Sequence, residues 1–300
     1  MTLIECVPNF SEGRRPEVVD EIAAAIAGTP GVTLLDRQSD GHHNRSVLTF
    51  VGEAAAAQEA AFRAVSAAAR LIDLNRHEGA HPRFGATDVV PFVPVGVDDM
   101  PVCIETAHGL GIRVGAELGI PVYFYEEAAR RPERRNLADV RRGEFEGLRD
   151  EIGRDPARAP DEGPAAVHPR AGAVAIGARP ALIAYNVNLE SADLELARRI
   201  AREVRERDGG LPCVKAIGLA LDDGVQVSMN LTDYRRTSVL AAFEAVRSRA
   251  AAAGAAVRES EVVGLLPEDA LTGLAREVLL APRLTRSQVL EARILDSLLS

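Results

Sequence analysis

Tryptophan is absent from this 300-residue sequence, and aromatic residues as a whole make up only 4% of it. Alanine and valine carry much of the 47% hydrophobic content, so we expect aliphatic cores. Cysteine is equally scarce: Cys6, Cys103 and Cys213 are too few and too scattered for a disulfide framework or a zinc knuckle. The chain is nevertheless long enough for two domains of roughly 100–150 residues, each with its own core.

The sequence also lacks an apolar run of the ~18 residues that a membrane-spanning helix needs. Its first residues, MTLIECVPNF, lack the charged and apolar regions of a signal peptide, so we expect a cytoplasmic protein with no membrane partner. Basic residues are outnumbered by acidic ones, 35 to 44, which gives a net charge of −9. Since a general nucleic-acid surface needs clustered lysine and arginine, no nucleic-acid partner is predicted. An anionic substrate would require a locally basic pocket.

Apolar patterning predicts elements in the order β-α-β-β-α-β up to Val95, followed by one further helix and strand that end at Tyr125. The segment from Ala128 to Ala165 is rich in charged residues, proline and glycine, and we place a domain boundary shortly after it, at Ala178. Residues 171–187 look like strand material and indicate a hairpin that turns at Gly177 to Pro180. The β-α-β-β-α-β order is then repeated.

The predicted fold class is therefore α+β, with two tandem βαββαβ subdomains of the split βαβ, or ferredoxin-like, type packed as an α/β sandwich. The first subdomain is predicted to cover residues 1–178 and the second residues 179–300. No residue-level repeat is detectable, so the parallel between the halves is one of architecture only.

The stretch RHEGAHPRFGATDVVPFVP, from Arg76 to Pro94, concentrates polar side chains between a predicted helix and a predicted strand, where reactive groups are common. We call it the central loop. Within it, His77, Glu78 and His81 match the zinc-protease pattern H-E-x-x-H, which requires a helix so that both histidines face one ion. The glycine inside the motif and the proline after it oppose a helix, so a zinc hydrolase is the less favoured interpretation.

The other interpretation is that one histidine acts as a general acid or base, because imidazole titrates near neutral pH. His81 is the candidate, since the proline after it restricts its backbone. The polar loop from Asp40 to Arg45 offers Asp40 to orient that imidazole, although such a loop can also be a plain hairpin turn. A third segment, Gly163 to Gly172, has glycines that let a flat ligand approach the backbone; its alternative interpretation is a linker.

Several long motifs together carry a family resemblance: CVPNFSEG from Cys6, LLD from Leu34 with NR at Asn44 and Arg45, HPRFGATDVVPFVPV from His81, PVYFYEEAARRPERRNLADVR from Pro121, and GARPALIAYNVNL from Gly177. In these motifs, and from the N-terminus to about Gly264, the chain resembles the glutamate formiminotransferases. The resemblance implies a two-subdomain α/β protein that forms a homodimer. It also implies transfer of a formimino group between 5-formiminotetrahydrofolate and L-glutamate, a step of histidine degradation.

The resemblance implies site residues as well. The family's catalytic histidine falls on His81, and Asn9, Arg45 and Arg83 are candidates to bind substrate, the arginines through carboxylates. Tetrahydrofolate is then the co-substrate, and no metal is required. The folate-binding loop falls on Gly163, Pro164, Ala165, Ala166, Val167, His168, Pro169, Arg170, Ala171 and Gly172.

The implied reaction requires that an attacking amine lose a proton and that a leaving nitrogen gain one, and a single histidine can do both in sequence. We assign this role to His81, with Asp40 as its orienter. The same residues would serve a formylglutamate-specific formyltransferase. A non-catalytic folate-binding module and the zinc hydrolase are the remaining alternatives.

Overall fold

The structure is a computed structural model that describes residues 2–79, 82–95, 99–281, 283–289 and 292. Backbone contacts divide the chain into two compact units, Met1–Pro180 and Ala181–Ser300. Among the described residues, each unit has one β-sheet with helices packed on it and a hydrophobic core of its own. The fold is therefore mixed α/β, which confirms the coarse fold class predicted from the sequence.

The first unit contains strands β1 (Leu3–Cys6), β2 (Asn9–Phe10), β3 (Val32–Asp40), β4 (Arg45–Glu53), β5 (Thr87–Pro94), β6 (Val122–Glu126) and β7 (Val174–Ala178), and helices α1 (Pro16–Ala27), α2 (Ala54–Leu71), α3 (Met100–Arg113), α4 (Leu137–Val140) and α5 (Glu144–Glu151). β1 and β2 both lie antiparallel between β4 and β5, so they act as one interrupted strand, and β3 pairs with the far side of β4. Beyond β5 the sheet becomes parallel, in the order β5-β7-β6. The central loop thus leads directly into β5.

β5 is buried along almost its whole length because helices cover both faces of the sheet there. Val90 and Phe92 belong to the core formed with α2 and α3. Val89 belongs to a second core on the opposite face, where α4 and α5 contribute Val140 and Leu148. The charged segment after Tyr125 is therefore a packed layer of the first unit.

Aromatic residues are rare but concentrated in the interior of the first unit. The main core of this unit is still largely aliphatic, as expected, but it also contains five phenylalanines. The largest fully buried side chains include Tyr123, Tyr125, Phe10, Phe50, Phe84, Phe92, Phe124 and Phe145. No helix in the described part of the chain is both long and apolar enough to cross a membrane.

The second unit contains β8 (Ile183–Leu189), β9 (Val214–Leu221), β10 (Gly224–Leu231) and β11 (Val257–Val263), with helices α6 (Leu194–Val204), α7 (Val239–Ala252) and α8 (Glu268–Val278). The strands form an antiparallel sheet in the order β11-β8-β10-β9. Asp193 caps α6 by accepting hydrogen bonds from the N–H groups of Glu195 and Leu196. The core of this unit is mainly aliphatic, as the sequence predicts.

The predicted hairpin at residues 171–187 is wrong. β7 pairs in parallel with β5 and β6 in the first sheet, whereas β8 pairs with β10 and β11 in the second. An apolar run indicates a strand but does not identify its partner. The uninterrupted burial of β7 is typical of a parallel strand covered on both faces.

We expect Gly85→Ala to destabilise the first unit. A Cβ at position 85 would lie 1.8 Å from the backbone oxygen of Ala173 and 2.4 Å from that of Thr87. Overpacking of this kind costs about 1–3 kcal/mol of unfolding free energy. Gly147→Ala is the control, because no described atom lies within 4 Å of its added Cβ and alanine favours a helix by roughly 0.5–1 kcal/mol. Urea unfolding measures both, and an unchanged Gly85→Ala would contradict the prediction.

Candidate active site

Three loops of the first unit meet at the buried side chain of Asn44. Its Oδ1 accepts a hydrogen bond from the N–H of Gly13 at 3.0 Å, and its Nδ2 donates to the backbone oxygen of Glu78 at 2.9 Å. The backbone oxygen of Asn44 accepts a further hydrogen bond from Nε2 of His77 at 3.0 Å. Asn44 therefore joins the loop after β2, the β3–β4 turn and the central loop, which are far apart in the sequence.

The β3–β4 turn and the central loop approach each other so closely at Gly79 that a side chain does not fit. A Cβ there would lie 2.4 Å from the backbone oxygen of His43 and 2.9 Å from Cβ of Asn44. The turn itself places Asn44 in the left-handed region at φ 48°, which asparagine tolerates better than most residues. The absence of a side chain at Gly79 and the left-handed backbone at Asn44 thus allow the two polar loops to contact each other.

Asp40 is engaged with His43 in this turn. Its Oδ1 accepts hydrogen bonds from the N–H groups of His42 and His43 at 2.8 and 2.9 Å, and its Oδ2 lies 2.5 Å from Nδ1 of His43. Burial alone would raise the pKa of Asp40, but these interactions outweigh it and hold that pKa below its ordinary value. His81 lies outside the described residues, so the role of Asp40 as its orienter stays a prediction.

His77 and Arg83 lie on the two sides of His81 in the sequence and contact each other. The Nε of Arg83 donates a hydrogen bond to Nδ1 of His77 at 3.3 Å. The guanidinium also pairs with Glu146 at 2.7 and 2.8 Å and with Glu144 at 3.2 Å. Arg83, predicted to bind a substrate carboxylate, is thus already bound by carboxylates of the protein.

The H-E-x-x-H motif does not begin on a helix. His77 has φ −84° and ψ 129°, an extended backbone, and the residues from His77 to Gly79 are not helical. Both ring nitrogens of His77 have protein partners. Among the described residues, no group of three histidine, cysteine or acidic side chains is placed to hold a metal ion. The backbone that the zinc interpretation requires is therefore not adopted at its first histidine.

Asp88 and Arg141 hold the other end of the central loop. Asp88, which is buried, accepts a hydrogen bond from the N–H of Phe84 at 3.0 Å and another from Arg141 at 2.7 Å. Arg141 also donates to the backbone oxygen of Pro82 at 3.4 Å. The sequence interpretation missed Asn44, Asp88 and Arg141 as site residues, although all three lie within the family-like motifs.

Arg45 begins β4 in a charged neighbourhood. Burial lowers the pKa of Arg45, with Asp88 and Asp40 opposing the shift and Arg141 adding to it. Its guanidinium remains charged near neutral pH, since even a lowered arginine pKa lies far above that range. Asn9, the other predicted substrate ligand, donates from Nδ2 to the backbone oxygen of Val7 at 3.0 Å. Binding of substrate by either side chain stays a prediction.

The C-terminal end of the predicted folate loop lies against the short helical turn, Leu74–Arg76, that leads into the central loop. The N–H of Leu74 donates to the backbone oxygen of Arg170 at 2.9 Å, and Nδ2 of Asn75 donates to that of Pro169 at 2.8 Å. Residues 163–166 are exposed, whereas Ala171 and Gly172 are buried as the chain enters β7. The contacts to Leu74 and Asn75 come from Pro169 and Arg170, which are exposed as well.

His168 caps a turn within this predicted folate loop. Its Nδ1 accepts hydrogen bonds from the N–H groups of Arg170 and Ala171 at 3.3 and 3.0 Å. A protonated Nδ1 cannot accept either bond, so the turn favours the neutral imidazole. Consistent with this geometry, burial and a smaller contribution from Arg170 lower the pKa of His168 below its ordinary value.

Acidification is therefore expected to destabilise the wild type relative to His168→Asn. Between the lowered folded pKa and the unfolded value of about 6.5, the unfolded chain binds more protons, so unfolding free energy falls as pH falls. Asparagine can accept the same backbone hydrogen bonds through Oδ1 but does not titrate. Urea unfolding at about pH 7.5 and about pH 5.5 measures the difference between the two proteins. A difference that does not change with pH would contradict the prediction.

Comparisons with known proteins identify the family of this chain. The model of the N-terminal subdomain of the formiminotransferase domain matches residues 3–179, and the model of the formiminotransferase domain matches residues 184–285. The chain therefore belongs to the formiminotransferase family, which confirms the resemblance seen in the sequence motifs.

Individual relatives match over nearly the whole chain. The sequence is 48% identical to the glutamate formimidoyltransferase of Thermoplasma acidophilum over 298 residues, which cover 98% of each protein. It is 46% identical to the glutamate formimidoyltransferase of Streptococcus pyogenes serotype M1, over 91% of this chain and 92% of that protein. The formimidoyltransferase-cyclodeaminase of Gallus gallus is 46% identical over 91% of this chain but only 52% of its own length.

Proposed function

We propose that this chain is a glutamate formimidoyltransferase, which moves a formimino group between 5-formimidoyltetrahydrofolate and L-glutamate in histidine degradation. The main support is near-full-length identity of 46–48% to two glutamate formimidoyltransferases. The contacts around Asn44 are consistent with it, because they gather the loops that carry the predicted substrate-binding side chains. Tetrahydrofolate is the proposed co-substrate.

In the proposed reaction His81 moves one proton between two nitrogens. N5 of tetrahydrofolate attacks the formimino carbon of N-formimino-L-glutamate and loses its proton to His81. The bond from that carbon to the glutamate nitrogen then breaks as the nitrogen takes the proton from His81. One proton is transferred and none is consumed, so a single imidazole that titrates near neutral pH is sufficient.

The carboxylates of the substrates are proposed to bind at arginine. Arg45 is the better supported candidate, because its charge is retained at a half-buried position between loops that contact each other. Arg83 can serve only if a substrate carboxylate replaces Glu146 in its guanidinium fork. Asn9 and the Gly163–Gly172 loop complete the proposed substrate and folate contacts. Local arginine charge would reconcile anionic substrates with the net charge of −9.

The finer architecture is also part of the proposal. The order β11-β8-β10-β9 is that of a split βαβ subdomain, and β3-β4-β1/β2-β5 has the same pattern with β7 and β6 added. We propose that residues 1–178 and 179–300 are the two tandem subdomains predicted from the sequence. A homodimer and a cytoplasmic location remain predictions, to be tested by light scattering and by fractionation.

Turnover with alternative donors tests the function. Purified protein treated with EDTA is mixed with tetrahydrofolate and either N-formiminoglutamate or N-formylglutamate, and the folate spectrum is followed. We expect product from N-formiminoglutamate without added metal. Product from N-formylglutamate alone would instead assign a formyltransferase, and turnover only after zinc is restored would assign a zinc enzyme. Folate binding without turnover on either donor would indicate a binding module.

A further inference from the structure

A continuous series of hydrogen bonds, which we name the His77 relay, runs through Asn44, His77, Arg83 and Glu146. The backbone oxygen of Asn44 bonds Nε2 of His77 at 3.0 Å, and Nδ1 of His77 bonds Nε of Arg83 at 3.3 Å. The two terminal nitrogens of Arg83 then bond the two carboxylate oxygens of Glu146 at 2.7 and 2.8 Å. The relay thus links the β3–β4 turn to α5 through the central loop.

The partners of His77 define its protonation. A carbonyl oxygen only accepts hydrogen bonds, so Nε2 of His77 must carry a proton toward Asn44. An arginine nitrogen only donates, so Nδ1 of His77 must be free of a proton toward Arg83. His77 is therefore the neutral tautomer with its proton on Nε2. A second proton would break the bond to Arg83 and place two positive charges side by side.

The other charged groups near the relay keep Arg83 in place. Glu144 accepts a hydrogen bond from the Arg83 guanidinium and lies 3.4 Å from its backbone N–H. The Arg83 side chain is only 12% exposed, so its charge is partly desolvated and depends on these carboxylates. Glu78 flanks His77 in the chain, and the paired Asp40 and His43 belong to the adjoining turn. No further substrate group is needed to satisfy the relay.

We propose that His77 and Arg83 are positioning residues for the transfer reaction, a role that rests on the proposed function. They lie four residues before and two residues after His81 in the chain, and their mutual hydrogen bond fixes the distance between these two points. The backbone oxygens of Glu78 and Pro82 are held as well, by Asn44 and Arg141. A reacting group is aligned best when the chain on both sides of it is fixed.

Two substitutions at His77 separate the halves of the relay. Glutamine can place its amide nitrogen where Nε2 lies and keep the bond to Asn44, but it offers no acceptor in the position of Nδ1. Asparagine can keep an acceptor for Arg83 and lose the bond to Asn44. His108→Gln is the matched control, because Nε2 of His108 also bonds a backbone oxygen, that of Ala128 at 2.8 Å.

Steady-state kinetics with N-formiminoglutamate and tetrahydrofolate are the first readout. We expect His77→Gln to lower kcat on the order of 10- to 100-fold while KM for both substrates stays within about twofold, as misalignment alone would cause. His77→Asn should lose less kcat than His77→Gln does. His108→Gln should keep the wild-type kcat. The melting temperatures of His77→Gln and His108→Gln should be similar, which would show that their difference in kcat does not come from a difference in stability.

Nitrogen NMR of ¹⁵N-histidine-labelled protein is the second readout. We expect His77 to show the neutral tautomer protonated on Nε2, with an Nδ1 resonance that moves in Arg83→Lys. A proton on Nδ1, or a His77→Gln variant as active as His108→Gln, would overturn the inference. A wild type that transfers no formimino group would overturn the proposed function and the positioning role with it. If the wild type and His77→Gln are equally active, only the positioning role is overturned.

Discussion

Replacing His81 with glutamine is expected to lower kcat for formimino transfer on the order of 10²- to 10⁴-fold, the usual contribution of a general acid or base. Glutamine can donate and accept hydrogen bonds, but it cannot take up a proton near neutral pH. The proton of tetrahydrofolate N5 would then have no acceptor and the glutamate nitrogen no donor. Since binding groups are retained, we expect the dissociation constants of both substrates to change little.

His42→Gln provides the control for this experiment, because His42 is an exposed histidine of the β3–β4 turn and undergoes the same chemical change. Rapid-mixing kinetics and equilibrium folate binding should be measured on the same preparations. Loss of kcat in His81→Gln alone, with folate binding intact, is the expected result. If His81→Gln kept more than about a tenth of the wild-type kcat, general acid–base catalysis by this residue would be ruled out.

Removing Asp161 is expected to cost about 3–5 kcal/mol of unfolding free energy, the usual cost of breaking a buried ion pair by deleting one partner. The side chains of Asp161 and Arg134 are only 3% and 4% exposed, and Nη1 of Arg134 lies 2.6 Å from Oδ2 of Asp161. That oxygen also accepts a hydrogen bond from the N–H of Phe124 in β6 at 2.8 Å. Asp161→Ala would leave a buried guanidinium and a strand N–H without this acceptor.

An exposed ion pair of the same region supplies the comparison. Arg135 and Glu127 pair at 2.7 Å, but their side chains are 61% and 41% exposed. Water solvates both ions when the pair is broken, so Glu127→Ala should cost less than about 1 kcal/mol. Chemical unfolding of both variants decides the matter. Equal losses in the two proteins would show that burial does not govern the strength of the Asp161 pair.

Elements with strong patterning were predictable from the sequence, and their partners were not. The helix and the strand that were predicted on the two sides of the polar residues of the central loop are present as α2 and β5, because each shows a single buried pattern over many residues. β7 was assigned to a hairpin because turn residues, Gly177 to Pro180, follow its apolar run. Only its two parallel neighbours, supplied by distant parts of the chain, determine its place.

The same limit applies to the candidate site. Histidine and arginine in the central loop were recognised from residue type, and the family from its motifs. The contributions of Asn44 and Arg141 depend on hydrogen bonds to Glu78 and Asp88, which lie 34 and 53 residues away in the chain. Residue types in one sequence do not reveal such long-range backbone and side-chain contacts. Arg83 shows the converse, since its type suggested a substrate ligand while its contacts are with protein carboxylates.

The position of β7 between β5 and β6 has a consequence for synthesis on the ribosome. β5 and β6 are made first, yet they are separated in the sheet by a strand that begins at Val174. Until that strand emerges, the nascent chain presents two apolar strands with unpaired edges, which are prone to associate with other chains. The first unit can therefore complete its sheet only when its final residues have left the exit tunnel, and a chaperone would be of most use during that interval.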